Sequence, residues 1–266
     1  MTRKKFRTNW LYIFVLVILA LIFWAFSSRQ LKNWPEENFS EIKTKKAERI
    51  EITEELINKI IDKILPENFD RKTACYFLSD LNKDGISEII IGFIKNPPTQ
   101  NAYLAIVTPI DENFEKLADF NFGQKEDITF SSSPCLRDKK DILDVNGDGK
   151  EEMVLDLGAG GASNEAFGIF EIDLQAGKIE WLKIKEKDGE IKNSFFLKGG
   201  SVMHQEDFEL KDLDGDGKME IIEKEGEYLG GDWEKKESWK WQISVYKWDG
   251  KIFEYNEKLS EEVLEK

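Results

Sequence analysis

Three short acidic segments in one register constrain this chain more than any other feature of it. They read Asp80-Leu-Asn-Lys-Asp-Gly-Ile-Ser-Glu88, Asp144-Val-Asn-Gly-Asp-Gly-Lys-Glu-Glu152 and Asp212-Leu-Asp-Gly-Asp-Gly-Lys-Met-Glu220, with starts 64 and 68 residues apart. In each, side-chain oxygens fall at positions 1, 3, 5 and 9, with Gly at position 6. A spacing of two along a tight loop turns alternate side chains towards one point, and Gly tolerates the positive φ of the sharp bend. An aliphatic run follows each loop: Ile89-Ile90-Ile91, Met153-Val154-Leu155 and Ile221-Ile222. An EF-hand would need helices on both sides and an acid at position 12, where the first two copies carry Ile91 and Leu155. One such cluster is an ordinary turn; three in the same register with the same following strand are a repeat.

The donor set points to a metal. The expected ligands are Asp80, Asn82, Asp84 and Glu88 in the first loop, and Asp144, Asn146, Asp148 and Glu152 in the second. In the third they are Asp212, Asp214, Asp216 and Glu220. The position 7 carbonyls of Ile86, Lys150 and Lys218 would complete each shell. Hard oxygen donors in this number suit calcium, about one ion per loop, whereas magnesium demands stricter octahedral geometry. Zinc calls for Cys or His, and His204 is the sole histidine. The loop side chains carry charges of −3, −3 and −4, so ten negative charges would face six positive ones. Calcium is therefore expected to contribute directly to folding stability.

The register extends past the loops. Each unit has a strand before its loop (Ala74–Leu78, Asp141–Leu143, Phe208–Leu210), the aliphatic strand after it, and a further strand around Tyr103, Phe167 or Trp241. A turn and a last strand follow at Glu112-Asn113-Phe114, Ala176-Gly177-Lys178-Ile179 and Asp249-Gly250-Lys251-Ile252-Phe253. About four strands per unit of roughly 65 residues is the proportion of propeller blades. The expected fold is mainly β: three propeller-blade-like antiparallel repeats over 73–266, a small or partial β-propeller. Before them, Thr53–Leu65 reads as an amphipathic helix within 53–72. Thr53 is its N-cap, Leu56, Ile57, Ile60, Ile61 and Ile64 form one stripe, and Pro66 follows its end. The stripe suits packing on the domain; a partner-binding helix is the other reading.

Residues 10–26 carry no charge, Gly or Pro and reach about 25 Å as a helix, close to the hydrocarbon thickness of a bilayer. Trp10, Tyr12 and Trp24 sit near the ends, where amphipathic rings prefer the interface. Arg3, Lys4, Lys5 and Arg7 precede the run, so residues 1–9 are expected in the cytoplasm and the body outside. Ala25-Phe26-Ser27 resembles a small-residue cleavage site, yet a run of 17 exceeds the usual signal core and favours an uncleaved single-pass anchor. Either reading exports the body, with 27–52 as linker. Setting those four cations aside from the net charge of −14 leaves −18, so no nucleic-acid role is expected, and cations or basic partners are favoured.

Cys75 and Cys135 are the only cysteines, and an exported body permits a bridge between them; two small buried thiols is the alternative. Gly158–Asn164 lacks the Lys-Ser/Thr and following helix of a phosphate loop. With Leu229–Trp233 of the third unit, it reads as a blade-connecting loop and a candidate ligand surface. Trp233, Trp239, Trp241, Tyr246, Trp248, Phe253 and Tyr255 suit a buried strand face, with aromatic platforms for sugar as the second reading. No motif ties His204 to a nucleophile, and the clustered acids are already assigned to metal, so no catalytic residue is singled out.

The pattern Asp-x-[Asp/Asn]-x-Asp-Gly-x-x-Glu before an aliphatic strand resembles the FG-GAP repeats of integrin α-subunit propellers and the related bacterial VCBS-type repeats. The closing Val245-Tyr-Lys-Trp-Asp-Gly-Lys-Ile-Phe253 is similar to the strand-turn-strand of the bacterial repeats. The likeness covers about residues 73–258. It implies β-propeller blades holding calcium at positions 1, 3, 5, 7 and 9, and roles in adhesion or ligand recognition at cell surfaces. Integrin-type propellers close with seven blades, while this chain has length for three or at most four, so oligomerisation that completes a ring stays open. The reading is a non-enzymatic, membrane-anchored calcium-binding surface protein with a protein or cell-envelope glycan ligand. The alternative is an exported enzyme acting on envelope polymers with structural calcium.

Overall fold

A computed structural model of the chain describes residues 51–95, 101–110, 113–123, 130, 133–159, 164–201 and 203–264. The expected tail 1–9, the anchor 10–26, nearly all of the linker 27–52, and residues 160–163 of the glycine-rich segment lie outside the described residues. Among the described residues, no helix is long and apolar enough to cross a membrane.

Helix α1 (Glu54–Ile64) begins where Thr53, in extended conformation, accepts the Leu56 N–H on its hydroxyl at 3.2 Å. Glu54 and Glu55 lie in the first turn and Lys63 in the last, the arrangement the helix dipole favours. Ile57, Ile60 and Ile61 share one buried face, each contributing about 2 kcal/mol on removal from water.

The first unit is a meander of β1 (Cys75–Ser79), β2 (Glu88–Ile94), β3 (Ala102–Ile110) and β4 (Asn113–Asn121), each antiparallel to the next. The second repeats it with β5 (Ile142–Leu143), β6 (Glu152–Ala159), β7 (Asn164–Asp173) and β8 (Lys178–Trp181). Three strands then follow that the sequence pattern does not announce: β9 (Lys183–Lys185), β10 (Ile191–Asn193) and β11 (Phe195–Gly200). The third unit is β12 (His204–Lys211), β13 (Glu220–Tyr228), β14 (Trp239–Trp248) and β15 (Phe253–Tyr255). In every unit the acidic loop joins the first strand to the second.

The strands of the connection sew the units together. β11 pairs with both β7 and β12, β9 runs parallel to β15, and β4 runs parallel to β8. The described strands therefore form one mixed sheet rather than three separate ones. Unpaired edges expose backbone N–H and C=O groups, and a connection of this length supplies partners for them.

Both faces of the first unit are covered. Ile89, Ile91, Phe93 and Val107 pack on α1. Their neighbours Ile90, Ile94, Leu104 and Ile106 share a core with Met153, Leu155, Phe170 and Trp181 of the second unit. Phe122 meets Phe130 and Phe170 edge-on in that core, with ring centroids 4.9 and 5.6 Å apart. The other face of the second unit adds Val145 and Ile169, with Phe196 of β11, to a core with Phe208, Ile221, Tyr246 and Phe253 of the third. A final helix, α2 (Glu257–Leu264), was not expected from sequence. Its buried Ser260 accepts the Val245 N–H at 2.9 Å and fixes the helix against β14.

Of the two readings of the cysteines, the structure has the bridge. Cys75 and Cys135 form a disulfide with Cα atoms 6.2 Å apart, tying β1 to the segment that leads into the second unit. Closing a loop of 60 residues restricts the unfolded chain by about 4 kcal/mol in the chain-entropy account.

Candidate metal centre

The three loops share one backbone. At position 4 the φ angles are +60° at Lys83, +74° at Gly147 and +78° at Gly215; at position 6 they are +89°, +88° and +84° at Gly85, Gly149 and Gly217. Position 6 is Gly throughout because a Cβ disfavours that region.

Their hydrogen bonds repeat as closely. The position 1 carboxylate accepts the position 6 N–H at 3.0 Å (Asp80), 2.9 Å (Asp144) and 3.1 Å (Asp212). The position 5 carboxylate accepts the N–H of position 7 at 2.7 Å from Ile86, 2.8 Å from Lys150 and 2.9 Å from Lys218. The position 9 glutamate accepts the position 2 N–H at 2.8, 2.8 and 2.7 Å, from Leu81, Val145 and Leu213. Both oxygens of each position 1 aspartate accept backbone N–H groups of the loop, which ties the loop around that carboxylate.

Glu88, Glu152 and Glu220 are the buried carboxylates of the loops, and burial is the leading cause that raises each of their pKa values. Glu152 is pushed up to about 8, with the charges of Asp148, Asp144 and Glu171 adding to burial. Buried carboxylates facing other carboxylates are the environment that a divalent cation relieves.

The loops differ at position 3. Asn82 and Asn146 donate to Oε1 of Glu88 and Glu152 at 3.1 and 3.4 Å. Asp214 cannot donate, and Glu220 Oε1 is buried without a hydrogen bond, its nearest cation being Lys247 Nζ at 3.5 Å. Oxygens of Asp212, Asp214 and Asp216 lie within 4.8 Å of one another, close enough to share one ion. Hard oxygen donors placed this way, beside a buried oxygen without a hydrogen bond, could hold a divalent cation. Ile86, Lys150 and Lys218 occupy position 7, where their N–H groups donate to the position 5 carboxylate, and these hydrogen bonds run within each loop.

The loops also lie beside one another. Lys83 of the first pairs with Glu151 of the second at 3.7 Å, and Met219 N–H of the third donates to Val145 O of the second at 2.9 Å. Glu171 on β7 lines a hollow of about 260 Å³ with Asn146, Asp148 and Glu152. Neither Glu171 nor Lys247 was singled out from sequence; strand register alone brings them to the loops.

On the outer face of the third unit, Trp233, Trp239 and Trp241 line a groove of about 670 Å³ with Gln205, Asp207 and Lys224. Leu229–Trp233, a candidate ligand loop, borders it and is pinned by Leu229 N–H to Ser238 O at 2.8 Å and Tyr228 OH to Gly231 O at 2.6 Å. Trp239 Nε1 donates to Trp233 O at 2.8 Å. Trp241 lies flat over Gly226, where a Cβ would come within 2.8 Å of the ring. His204 on β12 stands 3.4 Å from Glu206 and 3.7 Å from Glu225.

No protein-family model and no curated protein matches the chain, so the likeness to FG-GAP and VCBS-type repeats rests on the loop residues themselves.

Proposed function

We propose that this chain is an extracytoplasmic binding protein, anchored through residues 10–26, whose blade-like β-units are stabilised by calcium in the three acidic loops. The observation that carries the reading is the repetition of one loop in three units, with matched φ angles and carboxylate hydrogen bonds, at neighbouring positions. Each unit shares an apolar core with the next, as blades do, which supports a propeller-like arrangement. Calcium would neutralise carboxylates that otherwise repel one another and would make the loops rigid. The test is calorimetric titration of the full-length chain in mild detergent, with thermal unfolding in calcium and in EGTA. Saturable binding and a melting point lowered by EGTA support the reading. Absence of binding, with identical melting in both, reduces the loops to solvated turns.

The tryptophan groove favours a glycan ligand over a protein one. Flat indole faces bordered by an amide, a carboxylate and an ammonium match a pyranose ring, with its apolar face and its rim of hydroxyls. Titration with chito-oligosaccharides and solubilised cell-wall glycan, followed by tryptophan fluorescence, tests it: saturable quenching lost in Trp241→Ala supports the reading, and silence towards all of them removes it. For the enzyme alternative, the discriminator is a convergent acid/base pair in such a concavity. Lys224 in this groove is instead paired with Asp207 and Glu209, at 3.5 and 3.3 Å.

A further inference from the structure

The strand facing each loop tells the three apart. Ile89, Met153 and Ile221, each following its position 9 glutamate, pair with Val107, Phe170 and Tyr246. One residue further along those strands stand Thr108, Glu171 and Lys247. One structural position beside the loop is thus a hydroxyl, a carboxylate or an ammonium.

Lys247 Nζ contacts Asp214, lies 3.0 Å from Asp216 Oδ2 and reaches Glu220 Oε1 at 3.5 Å. It therefore sits among three of the four carboxylates of the third loop. Among the described residues, no ion pair joins a lysine or arginine to Asp80, Asp84, Glu88, Asp144, Asp148 or Glu152. The change at position 3 belongs to the same exchange. Where the first two loops quiet the buried glutamate with an asparagine amide, the third has an aspartate and brings a cation from the neighbouring strand.

We propose that Lys247 is a built-in counter-ion that fills the cage of the third loop, so that the loop takes a divalent cation only when the lysine leaves. This rests on the reading of the loops as calcium sites. Calcium lies about 2.3–2.6 Å from its oxygens, and an ammonium held by the same oxygens occupies that volume. Two positive groups cannot share it, and metal entry must break charge-assisted hydrogen bonds to Asp214 and Asp216. Among the described residues the first and second loops have no such competitor, and Glu171 adds a carboxylate near the second. The third unit, which carries the tryptophan groove, is thereby kept ordered when calcium is scarce.

The test is calcium titration of the full-length chain and of Lys247→Thr, which copies Thr108, with Lys247→Arg as the charge-keeping control. The wild-type chain and Lys247→Arg are expected to take two ions tightly and a third on the order of 10- to 100-fold more weakly. Lys247→Thr is expected to bring the third ion into the range of the other two, and to melt lower than wild type in EGTA but not in calcium. Three sites of like affinity in the wild-type chain overturn the proposal, a result that needs no variant to fold. Two tight sites unchanged in a folded Lys247→Thr overturn it as well. No calcium binding to any form overturns the loop reading beneath it, and is told apart because the first two loops are then silent too.

Discussion

The first and third units are built on the same four-strand plan and present opposite outer faces. β2 reads Glu-Ile-Ile-Ile-Gly-Phe-Ile and is buried at every position, between α1 on one side and the second unit on the other. β13 reads Glu-Ile-Ile-Glu-Lys-Glu-Gly-Glu-Tyr; Ile221 and Ile222 are both buried, and further along Lys224 lines the groove while Gly226 lies buried under the Trp241 ring. Helix α2 contributes only Val263 and Leu264 to the rim of the groove there. A strand covered twice is apolar at successive residues, and β13 keeps that run only through Ile222 before its residues turn polar. The repeat thus supplies a scaffold, and the cover on each outer face decides whether that face is packed away or left as a groove.

The sharpest way to break this contrast is at the closed end. Cys75→Ser combined with Cys135→Ser is expected to lower stability by about 4 kcal/mol, measured by urea unfolding against the wild-type chain without reductant. A loss below about 1 kcal/mol would mean that α1 and the apolar cores already hold the first unit. Next in size, Ile60→Ala opens a cavity between α1 and β2 and is expected to cost about 3 kcal/mol. Trp241→Ala, at the rim of the open groove, is expected to cost about 1–2 kcal/mol, because part of its ring is already in water. Equal losses from the two would erase the distinction between a covering face and a presenting one.

A smaller effect separates the inner face of the third unit from its groove. Tyr246 donates its single hydroxyl proton to Glu186 Oε2 at 2.8 Å and lies 3.1 Å from Glu223 Oε2. Burial raises the Glu223 pKa first, and the charges of Glu186 and Glu225 add to it, against Lys192 and the tyrosine. The folded state therefore keeps a proton that the unfolded chain releases above about 4.5. The stabilisation from this group is complete below that pH and is lost as pH rises through the folded value. Glu223→Gln is expected to flatten the melting-point profile from pH 4.5 to 8 in saturating calcium, with a gain of about 1 kcal/mol at the upper end. An unchanged slope would place the pH dependence elsewhere. Smallest, Lys83→Gly relieves the left-handed backbone at position 4 of the first loop and is expected to add about 0.5 kcal/mol by thermal unfolding. Its loss of the exposed pair with Glu151 subtracts little, and a net destabilisation would show that this pair holds the first two loops together.

What the sequence by itself determined is local. The loops, their turn glycines, the strand after each and the capped helix Glu54–Ile64 all follow from spacing of two, spacing of 3.6 and the chemistry of Asp, Asn, Gly and Thr. Such features are legible because each depends on residues within a few positions of one another. Tertiary structure alone decided what lies across from them. The weakly patterned segment 183–200 became the strands that join the units into one sheet, because unit edges offered backbone partners. Glu257–Leu264 became a helix packed on β14, with Ser260 hydrogen-bonded to the strand backbone. The choice between a disulfide and two thiols was settled when β1 and the segment at Cys135 came side by side. Lys247 and Glu171 reached loops that end 27 and 19 residues earlier in the sequence, at Glu220 and Glu152, through strand register. Pairing of that kind is set by which faces must be buried together, a property of the assembled cores that no local spacing encodes.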